Sequence, residues 1–276
     1  MFDAHLHIID PRFPLIENAG YLPDPFTVAD YRAAMAGFDV QGGAVVSGSF
    51  QGTDQSYLVA ALAELGPDWV GVTQLDPDAT DDDIVELDKA GVRALRFNLK
   101  RGAQDIARLT SQALRAHELV GWHAELYVDG TVLSSLEPVL AKLPAVSIDH
   151  LGMSEEALPY LLNLVDRGAR VKATGFGRIE LDIPDTLRRI HAVSPGALMF
   201  GTDMPGTRAR RTFERSDLEI IGDAVGGDLD AVLTRNARAF YRLPADNTPT
   251  AVTKPFLRVE PAPISASDTV AFPTLG

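Results

Sequence analysis

Eight short apolar, β-branched runs punctuate the chain, at 2–9, 43–47, 69–75, 92–97, 121–128, 145–150, 169–175 and 197–203. Between them lie amphipathic stretches with apolar residues at helical spacing, as at 54–65, 81–90, 105–119 and 185–193. Several of these open on Asp or Thr, whose side-chain oxygens can accept from the first free amides of a helix. Strands alternating with helices at roughly 25-residue spacing call for a parallel sheet. Eight such units close a barrel, so the expected fold is α/β, a single-domain (β/α)8 TIM barrel. A doubly wound open sheet is the alternative, but no G-x-G-x-x-G follows the first run.

The alternation stops at Leu243. Residues 244–276 are rich in Pro, Ala, Ser and Thr and show no helical period. The barrel is therefore assigned to 1–243 and an irregular C-terminal extension to 244–276, read as a tail rather than a lid or an exchanged arm. With 46% hydrophobic residues, the 276-residue chain can bury a full core. Its 25 basic against 38 acidic residues give a net charge of −13, the wrong sign for a nucleic-acid binder, so an anionic ligand must be held by local basic groups. The absence of cysteine excludes disulfides, thiolate metal sites and thiol nucleophiles. No apolar run approaches the roughly 18–20 residues of a membrane span. The opening MFDAHLH lacks the basic and apolar segments of a secretion signal. A soluble, unprocessed, cytoplasmic protein is expected, with a small anionic substrate and without a nucleic-acid or membrane partner. Assembly as a homo-oligomer stays open.

In such a barrel the functional side chains sit at the carboxyl ends of the strands. The first run carries His5 and His7, two apart and so on one face of a strand. The second leads to Ser47 and Ser49, the fourth to Arg96, Lys100 and Arg101. His123, Glu125 and Tyr127 share a face of the fifth; the sixth ends in Asp149 and His150. The seventh gives Lys172 and, past a turn, Arg178, and the eighth closes on GTD with Asp203. A lone strand histidine is usually a hydrogen-bonded core residue, and an exposed Arg96 or Arg101 could simply be solvated. Two adjacent buried imidazoles are too costly to leave unused. Asp203, in its GTD-M-P turn, is read as a base rather than a loop cap, Glu125 as a partner fixing a histidine tautomer, and His117 and His191 as structural or exposed.

These residues resemble the amidohydrolase superfamily. The finer pattern is similar to its lactonase branch, the relatives of 2-pyrone-4,6-dicarboxylate lactonase: DAHLHIIDPRFPL, YLPDPFTVADY, SGSFQGTD, GVRALRFNL, GWHAELYVDG, SIDHLG, VKATGFGRI and FGTDMP, in order from residue 2 to about 206, and a terminal VLTRNARAFYRL. The resemblance implies hydrolysis of a cyclic ester such as 2-pyrone-4,6-dicarboxylate or a muconolactone. Asp203 would activate water; His5, His7 and His150 would polarise the carbonyl and stabilise the oxyanion. Arg96 and Arg101 would bind substrate carboxylate, and Ser49, Tyr127 and Arg178 match other substrate-contacting positions. After Asp203 this chain departs from the family, reading MPGTRARR where relatives often have Trp-Pro-His.

A carboxylate amid histidines supplies both a base and positive potential for a developing oxyanion. Guanidinium groups suit a carboxylated substrate, which they bind through two parallel hydrogen bonds. His5, His7, His123 and Asp203 would make a three-His, one-carboxylate set for one Zn²⁺ or Mn²⁺. The fourth strand offers no bridging lysine or glutamate for a second ion. The pyrone-dicarboxylate branch implies no required metal, and that expectation is taken here. The alternative is a mononuclear-metal decarboxylase of an unsaturated or aromatic acid on the same barrel. A non-catalytic binding protein would require the whole rim to be idle.

Overall fold

The alternation in the sequence becomes a parallel eight-stranded sheet wound in sequence order. The computed structural model describes residues 1–101 and 105–244, Arg101 through its backbone only; the extension lies outside the described residues from 245 onward. The strands are β1 (Phe2–Leu6), β2 (Gly42–Val46), β3 (Trp69–Thr73), β4 (Val92–Asn98), β5 (His123–Tyr127), β6 (Val146–Ile148), β7 (Arg170–Ala173) and β8 (Leu198–Phe200), each parallel to the next. They are buried on both faces, as strands covered by crossover helices must be. The helices are α1 (Val28–Ala34), α2 (Ser56–Leu65), α3 (Asp81–Lys89), α4 (Ile106–Val120), α5 (Leu133–Leu140), α6 (Leu158–Asp166), α7 (Ile183–Val193), α8 (Arg215–Val225) and α9 (Asn236–Phe240). Thr27 and Thr80 cap α1 and α3 in reciprocal pairs with Asp30 and Asp83, while Asp105 and Asp182 cap α4 and α7.

Two apolar layers hold the barrel. Outside the sheet, Leu6, Val45, Leu95, Leu126 and Ile148 pack against the helices. Inside, Phe2, Ala4, Ala44, Val46, Val72, Ala94 and Met199 pack against Ala237 and Tyr241 of the terminal helical segment, which plugs the bottom. The small residues of this inner layer leave space that polar side chains fill.

Closure happens where the sequence places its candidate site. Leu6 bridges to Met204; the Asp203 amide donates to the His5 carbonyl and the His7 amide to the Met204 carbonyl, both at 2.7 Å. Asp3 clips the same seam, accepting from the Thr202 amide (2.8 Å) and hydroxyl (2.6 Å) and from Tyr31 (2.9 Å). The pairing register of β1 shifts between Asp3 and Leu6. That bulge turns Asp3 toward the helix layer while His5 and His7 face the interior.

Candidate active site

Four groups converge at the seam. The His5 and His7 rings stand edge to face with centroids 5.2 Å apart, and His150 lies 4.9 Å from His5. His150 (φ 51°) and Asp203 (φ 59°) both leave their strands in the left-handed region, which costs a non-glycine residue about 1 kcal/mol and is sustained only by the surrounding fold. Two glycines permit the crowding. A Cβ on Gly201 would lie 2.8 Å from His5, and one on Gly175 would lie 2.5 Å from His150 Nδ1.

His5 Nε2, His150 Nδ1 and Asp203 Oδ1 are buried and make no hydrogen bond. A buried polar atom left unpaired costs about 1–3 kcal/mol, so three around one point mark a binding position. Asp203 Oδ1 is 3.8 Å from His5 Nε2 and 3.7 Å from His7 Nε2. His7 Nδ1 is 2.7 Å from the Val46 carbonyl, an acceptor only, so in the neutral ring Nδ1 carries the proton and Nε2 is bare. Behind His5, Lys172 Nζ lies 3.4 Å from Nδ1. Lysine only donates, so Nδ1 accepts and Nε2–H points into the site. Asp149 Oδ1 is 3.3 Å from the same nitrogen but forms no hydrogen bond with it.

Burial keeps the imidazoles neutral. It pushes His150 down to about 3 and His7 below its ordinary value; His5 falls well below, through burial and then the Lys172 charge. Burial alone would raise the Asp203 carboxyl, but the Arg178 guanidinium beside it holds it well below the usual carboxylate range. Arg178 donates to Oδ2 through Nε at 2.7 Å and through Nη2, leaving Oδ1 free of it.

A wholly buried ionic cluster lies beneath. Lys172 pairs with Glu125 and stands 3.7 Å from Asp149. Glu125 also accepts from Tyr241 (2.5 Å) and His123 (3.0 Å). Arg96 donates to Asp149 (3.1 Å) and to the Ser47 carbonyl (2.7 Å).

Ser49, Arg96, Tyr127 and Arg178 line one cavity with His7 and His150, and Tyr21, Asn98, Thr207 and Arg208, which the sequence did not single out, also stand in its wall. The Arg101 side chain lies outside the described residues. His123 is not brought to the site. It opens β5, four residues and about 13 Å of strand below Tyr127, and packs against Phe240 and Tyr241. Alternation gave its face correctly but not its depth. The described residues that could hold one ion are His5, His150 and Asp203, whose ligating atoms lie within 4.8 Å of one another; His150 stands in this set where His7 and His123 were expected. His117 and His191 sit on helices, bound to the Trp122 carbonyl and Asp228.

Comparison with known proteins places the chain in a family. A family model described as Amidohydrolase matches residues 2–243. The chain belongs to the amidohydrolase family. Among similar amidohydrolases, 2-pyrone-4,6-dicarboxylate hydrolase of Comamonas testosteroni is 27% identical over 232 residues, 74% of this chain and 76% of its own. A 4-sulfomuconolactone hydrolase of Hydrogenophaga intermedia is 25% identical over 224 residues, 74% of each chain. D-galactarolactone isomerase of Agrobacterium fabrum is 26% identical over 268 residues, 87% of this chain and 90% of its own. No described helix is long and apolar enough to cross a membrane.

Proposed function

We propose that this amidohydrolase opens the ring of a carboxylated lactone by adding water, with Asp203 as the base and no required metal. The observation that carries this is the free Asp203 Oδ1, 3.7 Å from the bare His7 Nε2 and 3.8 Å from His5 Nε2. Two acceptors at that separation suit the two hydrogens of one water. Transfer of a proton to Asp203 gives hydroxide, which adds to the lactone carbonyl; His5 Nε2–H donates where oxyanion charge develops. Collapse expels the ring oxygen, which takes the proton back from Asp203, so water is added across one ester bond. The names of the two similar hydrolases support an anionic lactone as substrate.

Arg178 gives this site a resting state. Paired with Asp203 it weakens the base, and the cavity holds about 30 Å³ of water-accessible space, room for roughly two waters. A substrate carboxylate that draws Arg178 away restores basicity to Asp203 as the base is needed.

His5, His150 and Asp203 would hold a Zn²⁺ or Mn²⁺ ion, which would polarise the carbonyl as a Lewis acid. The charge around them does not fit one. Lys172, Arg96 and Arg178 already balance Glu125, Asp149 and Asp203, so a dication would leave the buried cluster strongly positive. The His5 tautomer set by Lys172 also offers a hydrogen rather than a lone pair. The decarboxylase alternative needs the ion and meets the same obstacle.

The test is turnover of 2-pyrone-4,6-dicarboxylate at constant pH by chelator-treated protein of known metal content. Undiminished proton release, lost in Asp203→Asn, is expected. Turnover only after Zn²⁺ or Mn²⁺ is added overturns the metal-free mechanism. Carbon dioxide release, or a ring isomer without net proton release, overturns the hydrolysis.

A further inference from the structure

Three guanidinium groups line the cavity: Arg96, Arg178 and Arg208. Two are held by carboxylates of the chain itself, Arg96 by Asp149 and Arg178 by Asp203. Arg208 is not. It hydrogen-bonds through Nη2 alone, to the backbone carbonyl and side-chain oxygen of Asn18, and its guanidinium carbon stands 4.3 Å from the centre of the Tyr21 ring. Among the described residues no carboxylate pairs with it, and Nε and Nη1 make no hydrogen bond. A half-buried cation that faces a cavity without a counterion, in a chain of net charge −13, has an anion's place beside it.

The backbone holds Arg208 there against its own preference. Its φ is 61°, a left-handed conformation that a residue with a Cβ adopts at a cost of about 1 kcal/mol. The loop is tied to the site on both sides. Gly206 donates to the Asp203 carbonyl at 2.6 Å, Arg210 to the Gly177 carbonyl at 3.0 Å, and Arg178 Nη2 to the Thr207 carbonyl at 3.0 Å. The position of Arg208 is thereby fixed relative to Asp203. The Tyr21 ring supports the guanidinium from one face, and Nε and Nη1 keep hydrogens to donate to an anion.

We infer that Arg208 anchors an anionic group of the substrate remote from the scissile ester, a carboxylate above all. It thereby sets a preference for lactones bearing two carboxylates over those bearing one. This rests on the lactonase reading for the bond that is broken but not for the anion that is held. Arg208 does no chemistry in the ring opening. It holds ground state and transition state alike, so its loss is read in KM and not in kcat.

The experiment compares wild type, Arg208→Gln and Arg208→Lys on 2-pyrone-4,6-dicarboxylate and on the 4- and 6-monocarboxylates, with thermal melting to confirm folding. Binding of benzene-1,3-dicarboxylate and of benzoate is measured alongside by calorimetry. For Arg208→Gln, KM for the dicarboxylate is expected to rise about 30-fold with kcat within threefold. One monocarboxylate should be unaffected, and Arg208→Lys should recover part of the loss. Benzene-1,3-dicarboxylate should weaken by a similar factor and benzoate much less. Equal losses on all three lactones, or none, overturn the assignment. If no lactone is opened by any protein but benzene-1,3-dicarboxylate binding still depends on Arg208, the anion site stands and the lactonase reading falls. If lactones are opened and neither KM nor binding depends on Arg208, the anion site alone falls.

Discussion

The amide of Asp203 donates to the carbonyl of His5 over 2.7 Å, so the backbone bond that joins the last strand to the first also sets the proposed base beside the proposed donor. Asp203→Asn keeps that amide, and the barrel should close as before. Removing a general base typically lowers kcat by about 10²–10⁴, and a loss in that range is expected with an unchanged circular dichroism spectrum. A loss below tenfold would mean that another group takes the proton.

Arg178 makes a prediction about pH. The Asp203 carboxyl is depressed, so its basic form persists above its folded value and disappears as pH falls through it. The acid limb of kcat/KM should therefore lie below the ordinary carboxylate value of about 4. No limb should appear near 6.5, because His150 titrates only at about 3. In Arg178→Met the cation is gone while the burial stays, and the acid limb should move up by about 1–3 units. A wild-type limb between pH 6 and 7 would contradict this ordering.

Lys172 neutralises two buried carboxylates at once, Glu125 and Asp149. Lys172→Met should cost about 3–5 kcal/mol, since one uncompensated charge is left inside the barrel. It also removes the donor behind His5, so Zn²⁺ uptake should appear or increase. Lys172→Met with Glu125→Gln should regain much of the melting temperature. Wild type binding Zn²⁺ as tightly as the single variant would show that Lys172 does not govern the site.

What the sequence disclosed follows the physics of each signal. Buried parallel strands read as apolar runs, and all eight are present; the (β/α)8 order followed from their number and spacing. His5 and His7 were legible as a pair because the β1 bulge precedes them and leaves their alternation intact. The depth of His123 is not legible, because a period of two encodes a face and says nothing of height along the barrel. Arg96 and Arg178 carry the charge that suits a substrate carboxylate, yet each also meets a carboxylate of the chain, and such pairing depends on strands distant in sequence. Arg208 is not legible for the same reason: its Tyr21 and Asn18 partners sit at the far end of the chain, and nothing local in MPGTRARR announces its left-handed backbone.

Asp3 offers a test of the seam itself, through stability. Its carboxylate accepts four hydrogen bonds, from the Thr202 amide and hydroxyl, Tyr31 and the His5 amide. Burial nevertheless outweighs those donors and pushes the group from 3.8 up to about 6. A value raised on folding means that the folded chain takes up its proton before the unfolded one does. The stabilising contribution is complete below about 3.8 and is lost as pH rises through about 6. Between pH 7 and pH 4.5 the wild type should accordingly gain about 2 kcal/mol relative to Asp3→Asn, in which position 3 does not titrate. Urea unfolding of both proteins at the two pH values measures the difference directly. A gap that shifts the other way on acidification would mean that the four donors outweigh burial and that the seam is held by an ionised Asp3 whose value is depressed.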